Sequence, residues 1–145
     1  MKIYLDNCCY NRPFDDQKMF KVYLETQAKL YIQEKIRDGT YELVWSYILD
    51  YENGRNPYEE KRSAIAPWKK LSLYCVSEET EEILLFAEEL EKKGIKTYDA
   101  LHIACAYAAK CDYYITTDKK LLHTPVEGIK IVDPIVFVKE AEGQE

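Results

Sequence analysis

The sequence predicts an α/β fold: a mostly parallel central sheet between two layers of helices, a three-layer α/β/α arrangement. Three observations carry that expectation. Short β-prone runs alternate with helical segments long enough to cross from one parallel strand to the next. The chain shows no internal repeat, linker or low-complexity segment, and its 145 residues with 47% hydrophobic composition suit one domain spanning 1–145. The runs at 2–5 and 113–117 each pass directly into an aspartate, Asp6 and Asp118, at the strand end where open α/β sheets bind ligands.

The elements follow in order. KIYL at 2–5 is the first strand, and residues 7–13 form a turn-rich connection. Asp15 or Asp16 then caps a long helix to about Arg37, with Phe20, Tyr23, Leu24, Gln27, Leu30 and Tyr31 at helical spacing as its inward face and Gly39 as its stop. YELVW at 41–45 is a strand, and Ser46 caps a short helix over 47–53 that carries Asp50 and Glu52. Gly54, Asn56 and Pro57 break the chain before a charged segment over 58–70, whose Lys61, Arg62, Lys69 and Lys70 read as a solvated face. Another strand covers 71–76. Ser77 caps an acidic helix over 78–93 with Ile83, Leu84, Phe86, Ala87 and Leu90 inward and Gly94 as its stop. Thr97 caps an Ala-rich helix with Asp99 in its first turn, where a negative charge suits the free amides. After a break at Lys110, Cys111 and Asp112, the strand at 113–117 reaches Asp118. One helical turn at 119–123, a last strand at 129–132, a short helix or turn from Asp133 and Pro134, and a frayed tail over 140–145 complete the chain.

Composition narrows the function. A net charge of −6 and a pI near 5.1 argue against a strongly basic nucleic-acid binder. They leave room for an enzyme with a local basic rim around an acidic metal site. The five cysteines (Cys8, Cys9, Cys75, Cys105, Cys111) lack metal-binding spacing and read as reduced packing thiols. No apolar run has the form of a signal peptide or the length of a membrane span, so a cytoplasmic protein is expected.

In a parallel sheet all carboxyl ends of strands share one edge, which gathers Asp6, Asp118 and the junction at Ser46. Asp99 joins them if the loop over 94–97 delivers its helix start there. Converging carboxylates repel. A divalent cation relieves that repulsion, and an all-oxygen donor set suits Mg²⁺ or Mn²⁺ and phosphodiester hydrolysis. The helix after Ser46 carries two acids, Asp50 and Glu52, and Asp50, four residues from Ser46, shares that residue's helical face. His102 reads as a packed or surface histidine, and Asp112 belongs at the opposite edge.

Taken together, Leu5-Asp6 after an N-terminal strand, Ser46 with Glu52 six positions on, DALHIACA from Asp99, and YYITTD ending at Asp118 resemble the ordered acidic signature of the PIN domain family. That family comprises metal-dependent ribonucleases, including the VapC-type toxins of toxin-antitoxin modules. The likeness spans nearly the whole chain. It implies a PIN-like fold, Asp6, Glu52, Asp99 and Asp118 as the catalytic and metal-binding quartet, and Thr116 and Ser46 as hydroxyls that orient them. Asn7 stands where the family often has Thr or Ser. The resemblance also implies an RNA substrate, an antitoxin partner that covers the acidic cleft, and a homodimer, although the sequence marks no apolar stripe as its interface. Arg12, Arg55, Lys119 and Lys120 enter or leave the acidic edge and are candidates for RNA phosphates. The alternative is a catalytically weak PIN-like interaction module. A phosphotransfer receiver fits poorly, since no adjacent acidic pair follows the first strand and no lysine is placed after a late one.

Overall fold

The computed structural model describes residues 1–143. Five strands, β1 (Lys2–Leu5), β2 (Glu42–Ser46), β3 (Tyr74–Val76), β4 (Tyr113–Ile115) and β5 (Lys130–Val132), form one sheet in the order β3-β2-β1-β4-β5. Every pairing is parallel. β1 lies at the centre because Ile3, Tyr4 and Leu5 are fully buried and have no solvent face to spend on an edge. Ile3 registers with Leu43 on one side and Tyr113 on the other. From β1 the chain builds outward to β2 and β3, then returns to add β4 and β5. The β1/β4 border is therefore the point where strand order reverses, and its carboxyl end is the customary ligand crevice.

The connections are helical: α1 (Asn7–Asn11), a 3-10 turn (Arg12–Phe14), α2 (Phe20–Arg37), α3 (Tyr47–Gly54), α4 (Glu59–Ile65), α5 (Pro67–Leu71), α6 (Glu81–Lys92), α7 (Thr97–Ala108), α8 (Lys119–Leu122) and α9 (Pro134–Glu142). α6 packs with α7 and α2 with α9, giving the expected three-layer α/β/α fold. All of α7 from Ala100 to Ala106 is buried, and its alanines allow that close approach.

Several expectations need correction. The helix after β1 begins at Phe20, because residues 7–14 fold as α1 and the 3-10 turn, while Asp15 accepts from Arg12 and Asp16 from the Lys18 amide. The inward face of α2 is also the other one. Val22, Glu25, Thr26, Lys29, Ile32, Gln33 and Ile36 are buried, whereas Tyr23, Leu24, Leu30 and Tyr31 are exposed and Phe20 is 73% exposed. Spacing alone favoured the aromatic strip. In the other strip part of the polar complement is partnered within the fold: Glu25 meets Arg12 at 3.2 Å through one oxygen, and the Gln33 carboxamide oxygen takes the Trp68 indole N–H. An apolar surface strip does therefore exist, on α2.

Thr80, not Ser77, caps α6, accepting from the Ile83 amide at 3.2 Å, and Leu84 is exposed. Lys96 rather than Thr97 occupies the cap position of α7, and the Thr97 hydroxyl donates to Glu91. β3 and β4 are shorter than expected, and Pro67 opens α5, splitting the charged segment into α4 and α5. The first half of the supposed tail, 140–142, is the end of α9, anchored where the Tyr113 hydroxyl donates to Glu140 and that of Tyr41 to Glu142. Positions 144 and 145 lie outside the described residues. No helix is long and apolar enough to cross a membrane among those described.

Candidate active site

Asp6 leaves β1 as the N-cap of α1 and is only 5% exposed. Its carboxylate accepts from the Asn7 amide at 2.7 Å and from the Thr116 hydroxyl at 2.8 Å, just beyond β4. The Thr116 oxygen in turn accepts from the Asp118 amide at 3.1 Å, so one hydroxyl ties together the ends of the two central strands. Asp118 is half-buried and caps α8 through the Lys120 amide. Cys8 adds a contact of 3.4 Å to the Thr116 hydroxyl and accepts from the Thr117 amide. The Asn7 side-chain oxygen, next in the chain to Asp6, is buried without a partner.

Asp99 stands half-buried in the first turn of α7. Burial, then the charges of Asp6 and Asp118, push its pKa up to about 6; His102 pulls the other way and Glu52 adds to the rise. Asp99 thus feels the charges of Asp6, Asp118 and Glu52. Among the described residues, no lysine or arginine forms an ion pair with Asp6, Asp99 or Asp118.

The geometry separates the rivals on α3. Asp50 turns away, bonded to Lys69 and to the Trp45 indole, each at 2.9 Å. Glu52 instead meets His102 Nε2 at 2.6 Å. His102 is buried, and its Nδ1 lies 2.6 Å from the Tyr4 hydroxyl, which lies 2.5 Å from Ser46 Oγ. Donor roles follow along this chain. A carboxylate only accepts, so Nε2 donates to Glu52; from Nδ1 the chain continues through the Tyr4 hydroxyl to Ser46, which accepts from the Leu49 amide. Ser46 thus reaches the acid through two intermediaries, and the histidine read as mere packing holds Glu52 in place. Nothing in the spacing of Tyr4, Cys8 or His102 announces these roles, since their partners lie far away in sequence.

The basic candidates are divided. Arg12 is held by Asp15 and Glu25. Arg55 lies over the Tyr51 ring and donates to its hydroxyl, which also takes the Tyr98 hydroxyl, one residue before Asp99. Lys119 and Lys120 are exposed. Lys120 lines a cavity of about 60 Å³ together with Lys96, Asp99 and Asp118, which adds Lys96 to the set. Asp112 accepts from the Lys2 amide at the opposite edge, as expected. A larger cavity of about 700 Å³ also opens at that edge, beside Asp112 and Lys130 and away from the acids.

The donor chemistry fits a hard divalent cation: carboxylates without thiolates, an unpartnered amide oxygen beside Asp6, and no cationic side chain already compensating the central acids. The cage is not closed. Among the described residues, no three His, Cys, Asp or Glu side chains stand close enough together to chelate an ion as they are placed.

No curated protein matches the chain. Among solved structures, VapBC2 from Rickettsia felis, bound to a DNA fragment from their promoter, superposes with a TM-score of 0.56 at 15% identity, over 90% of this chain and 97% of that one. At that identity the likeness is one of fold. The model of the PIN domain matches residues 3–127. PIN domains are generally nucleases. With the family's sequence pattern covering all but the last stretch of the chain and the parallel sheet carrying acids at its switch point, this protein belongs to the PIN domain family.

Proposed function

We propose that the chain is an endoribonuclease that uses Mg²⁺ or Mn²⁺, with Asp6, Glu52, Asp99 and Asp118 as the acids that hold the ion. The observation that carries this reading is the crowding at Asp99, whose proton is retained to about pH 6 by burial and by neighbouring carboxylates that no lysine or arginine among the described residues neutralises. When bound, the ion supplies an activated water and stabilises charge on the phosphate oxygens. Thr116 fixes one oxygen of Asp6 while the Asn7 amide fixes the other, and Ser46, Tyr4 and His102 fix Glu52. Lys96 and Lys120 border the acids and hold RNA phosphates; Lys119, Arg55 and, if released from its carboxylates, Arg12 extend that rim. In this reading the protein works in the cytoplasm as the toxin of a toxin-antitoxin pair, restrained by a partner that covers the acids with a basic side chain, and it assembles as a homodimer.

The open cage favours a second reading, a PIN-like interaction module with metal affinity too weak for turnover. Calorimetric titration with Mn²⁺ separates the two. The nuclease requires saturable binding that disappears in Asp118→Ala, together with Mn²⁺-dependent cleavage of single-stranded RNA. Absence of binding to the wild-type chain selects the interaction module.

His102 gives a further expected result. In His102→Phe the Tyr4 hydroxyl keeps Ser46, but Glu52 loses its anchor. Cleavage falls roughly 10- to 100-fold, as for supporting partners of metal ligands. Stability falls by about 1–3 kcal/mol in urea melts, since a buried hydrogen-bonded group is lost. Activity unchanged within twofold in a folded variant would detach His102 from the site.

A further inference from the structure

A second concave site lies on the far flank of α2. Tyr10, Pro13, Phe14, Lys29, Leu30, Gln33, Arg37, Ile65 and Trp68 are among the residues that enclose a cleft of about 230 Å³ between α1, α2 and the α4–α5 pair. A cavity of roughly 150 Å³ already accepts a benzene ring, so the cleft has room for one ring or branched side chain with its polar head. Its walls are aromatic and aliphatic, and they include a buried lysine.

Lys29 is 4% exposed. Its ammonium group lies 5.5 Å from the Tyr10 ring centre and 5.9 Å from that of Trp68, and its hydrogen-bond acceptor is the Gln33 carboxamide oxygen, which also takes the Trp68 indole N–H. No carboxylate among the described residues pairs with it. Glu25, one turn earlier on the same face, is turned to Arg12 at 3.2 Å. Burial lowers the Lys29 pKa to about 8, which leaves it charged at neutral pH. Arg37, also of the lining, lies over the Trp68 ring at 5.1 Å and is paired with Glu34 at 2.8 Å. The Tyr10 hydroxyl, on a residue 1% exposed, has no hydrogen-bond partner. A buried ammonium with one neutral acceptor and no counter-ion is costly unless an anion reaches it, and the unpartnered hydroxyl of Tyr10, another residue of the lining, adds to the polar groups left unsatisfied there.

We propose that this cleft binds a carboxylate borne on an aromatic or branched apolar body, with the carboxylate on Lys29 and the apolar body between Phe14, Leu30 and Trp68. The same chemistry is offered by a free organic acid and by an acidic side chain beside an apolar one in a bound polypeptide. The site is separate from the acidic edge and does not depend on the nuclease reading.

The test uses the whole chain labelled with ¹⁵N and follows the Trp68 indole signal, assigned with Trp68→Phe, during titration with sodium phenylacetate, with phenylacetamide and with N-acetyl-Phe-Glu-amide. Phenylacetate is expected to shift that signal saturably in the millimolar range, and the uncharged amide at least tenfold more weakly. Lys29→Met, of similar length and uncharged, is expected to stay folded with a melting temperature no lower than wild type and to bind phenylacetate at least tenfold more weakly. Tighter binding of the dipeptide than of phenylacetate assigns the cleft to a polypeptide; weaker binding assigns it to a free acid. Equal shifts from acid and amide, no saturable shift from either carboxylate, or undiminished binding by a folded Lys29→Met overturns the proposal. The comparison of acid with amide needs no variant, so it decides even if Lys29→Met does not fold.

Discussion

Asp6→Asn is expected to reduce metal-dependent RNA cleavage by on the order of a thousandfold while the protein keeps its fold, the scale on which a preorganised charge at a reaction centre acts. The fold survives because the neutral amide reproduces the structural part of the role. Asn is as good an N-cap as Asp, so its oxygen still accepts from the Asn7 amide, and its NH2 group, in place of the second oxygen, can donate to the Thr116 hydroxyl once that hydroxyl turns its proton away. What is lost is the negative charge facing the ion. Cleavage of a fluorescent single-stranded RNA across a Mn²⁺ series, beside circular dichroism of the same sample, makes the comparison. A folded variant that cleaves like wild type removes the mechanism. Asp99→Asn should lose activity to a similar degree.

Asp99→Asn should also do something a purely structural acid would not: make the metal-free protein more stable. The folded-state pKa of Asp99 is raised to about 6, against about 3.9 for an unfolded aspartate. Between those values the folded chain binds more protons than the unfolded one, so stability falls as pH rises through that window and the penalty is fully present above it. Asn carries no charge and escapes the penalty. The gain at pH 8, reduced for the solvent that reaches this half-buried group, is about 1–2 kcal/mol, or a few degrees in melting temperature, and it fades toward pH 4. Mn²⁺ reverses the order, raising the melting temperature of the wild type but not of the variant. Thermal melts at pH 4, 6 and 8 with and without Mn²⁺ read both effects. A variant no more stable than wild type at pH 8, or equally stabilised at pH 4, would show that the acids do not crowd one another.

The sheet was legible from the chain because each buried parallel strand is a short apolar run bounded by breakers, and β1 and β4 announce their ends with Asp6 and Asp118. The placement of Asp99 followed from the helix start at the same edge. Spacing does not distinguish Glu52 from Asp50; what differs is their partners, Lys69 and Trp45 for Asp50 and His102 for Glu52. The face of α2 misled for a related reason. Hydrophobic periodicity weighs Phe20, Tyr23 and Leu30 against solvent alone, whereas Glu25 and Gln33 are buried because Arg12 and Trp68 wait for them inside. Polar partners distant in sequence bear on both cases, and such pairings leave no periodic trace.

The central position of β1 has a consequence for synthesis. Although β1 precedes the other four strands of the sheet, one of its two neighbours is β4, whose residues pair with it across about 110 positions, and the hydroxyl that steadies Asp6 belongs to residue 116. Contacts of such separation form slowly and only after the intervening chain is available. A nascent chain stalled before residue 113 leaves β1 with an unpaired edge, so Asp6 gains its Thr116 partner only after both central strands have been made.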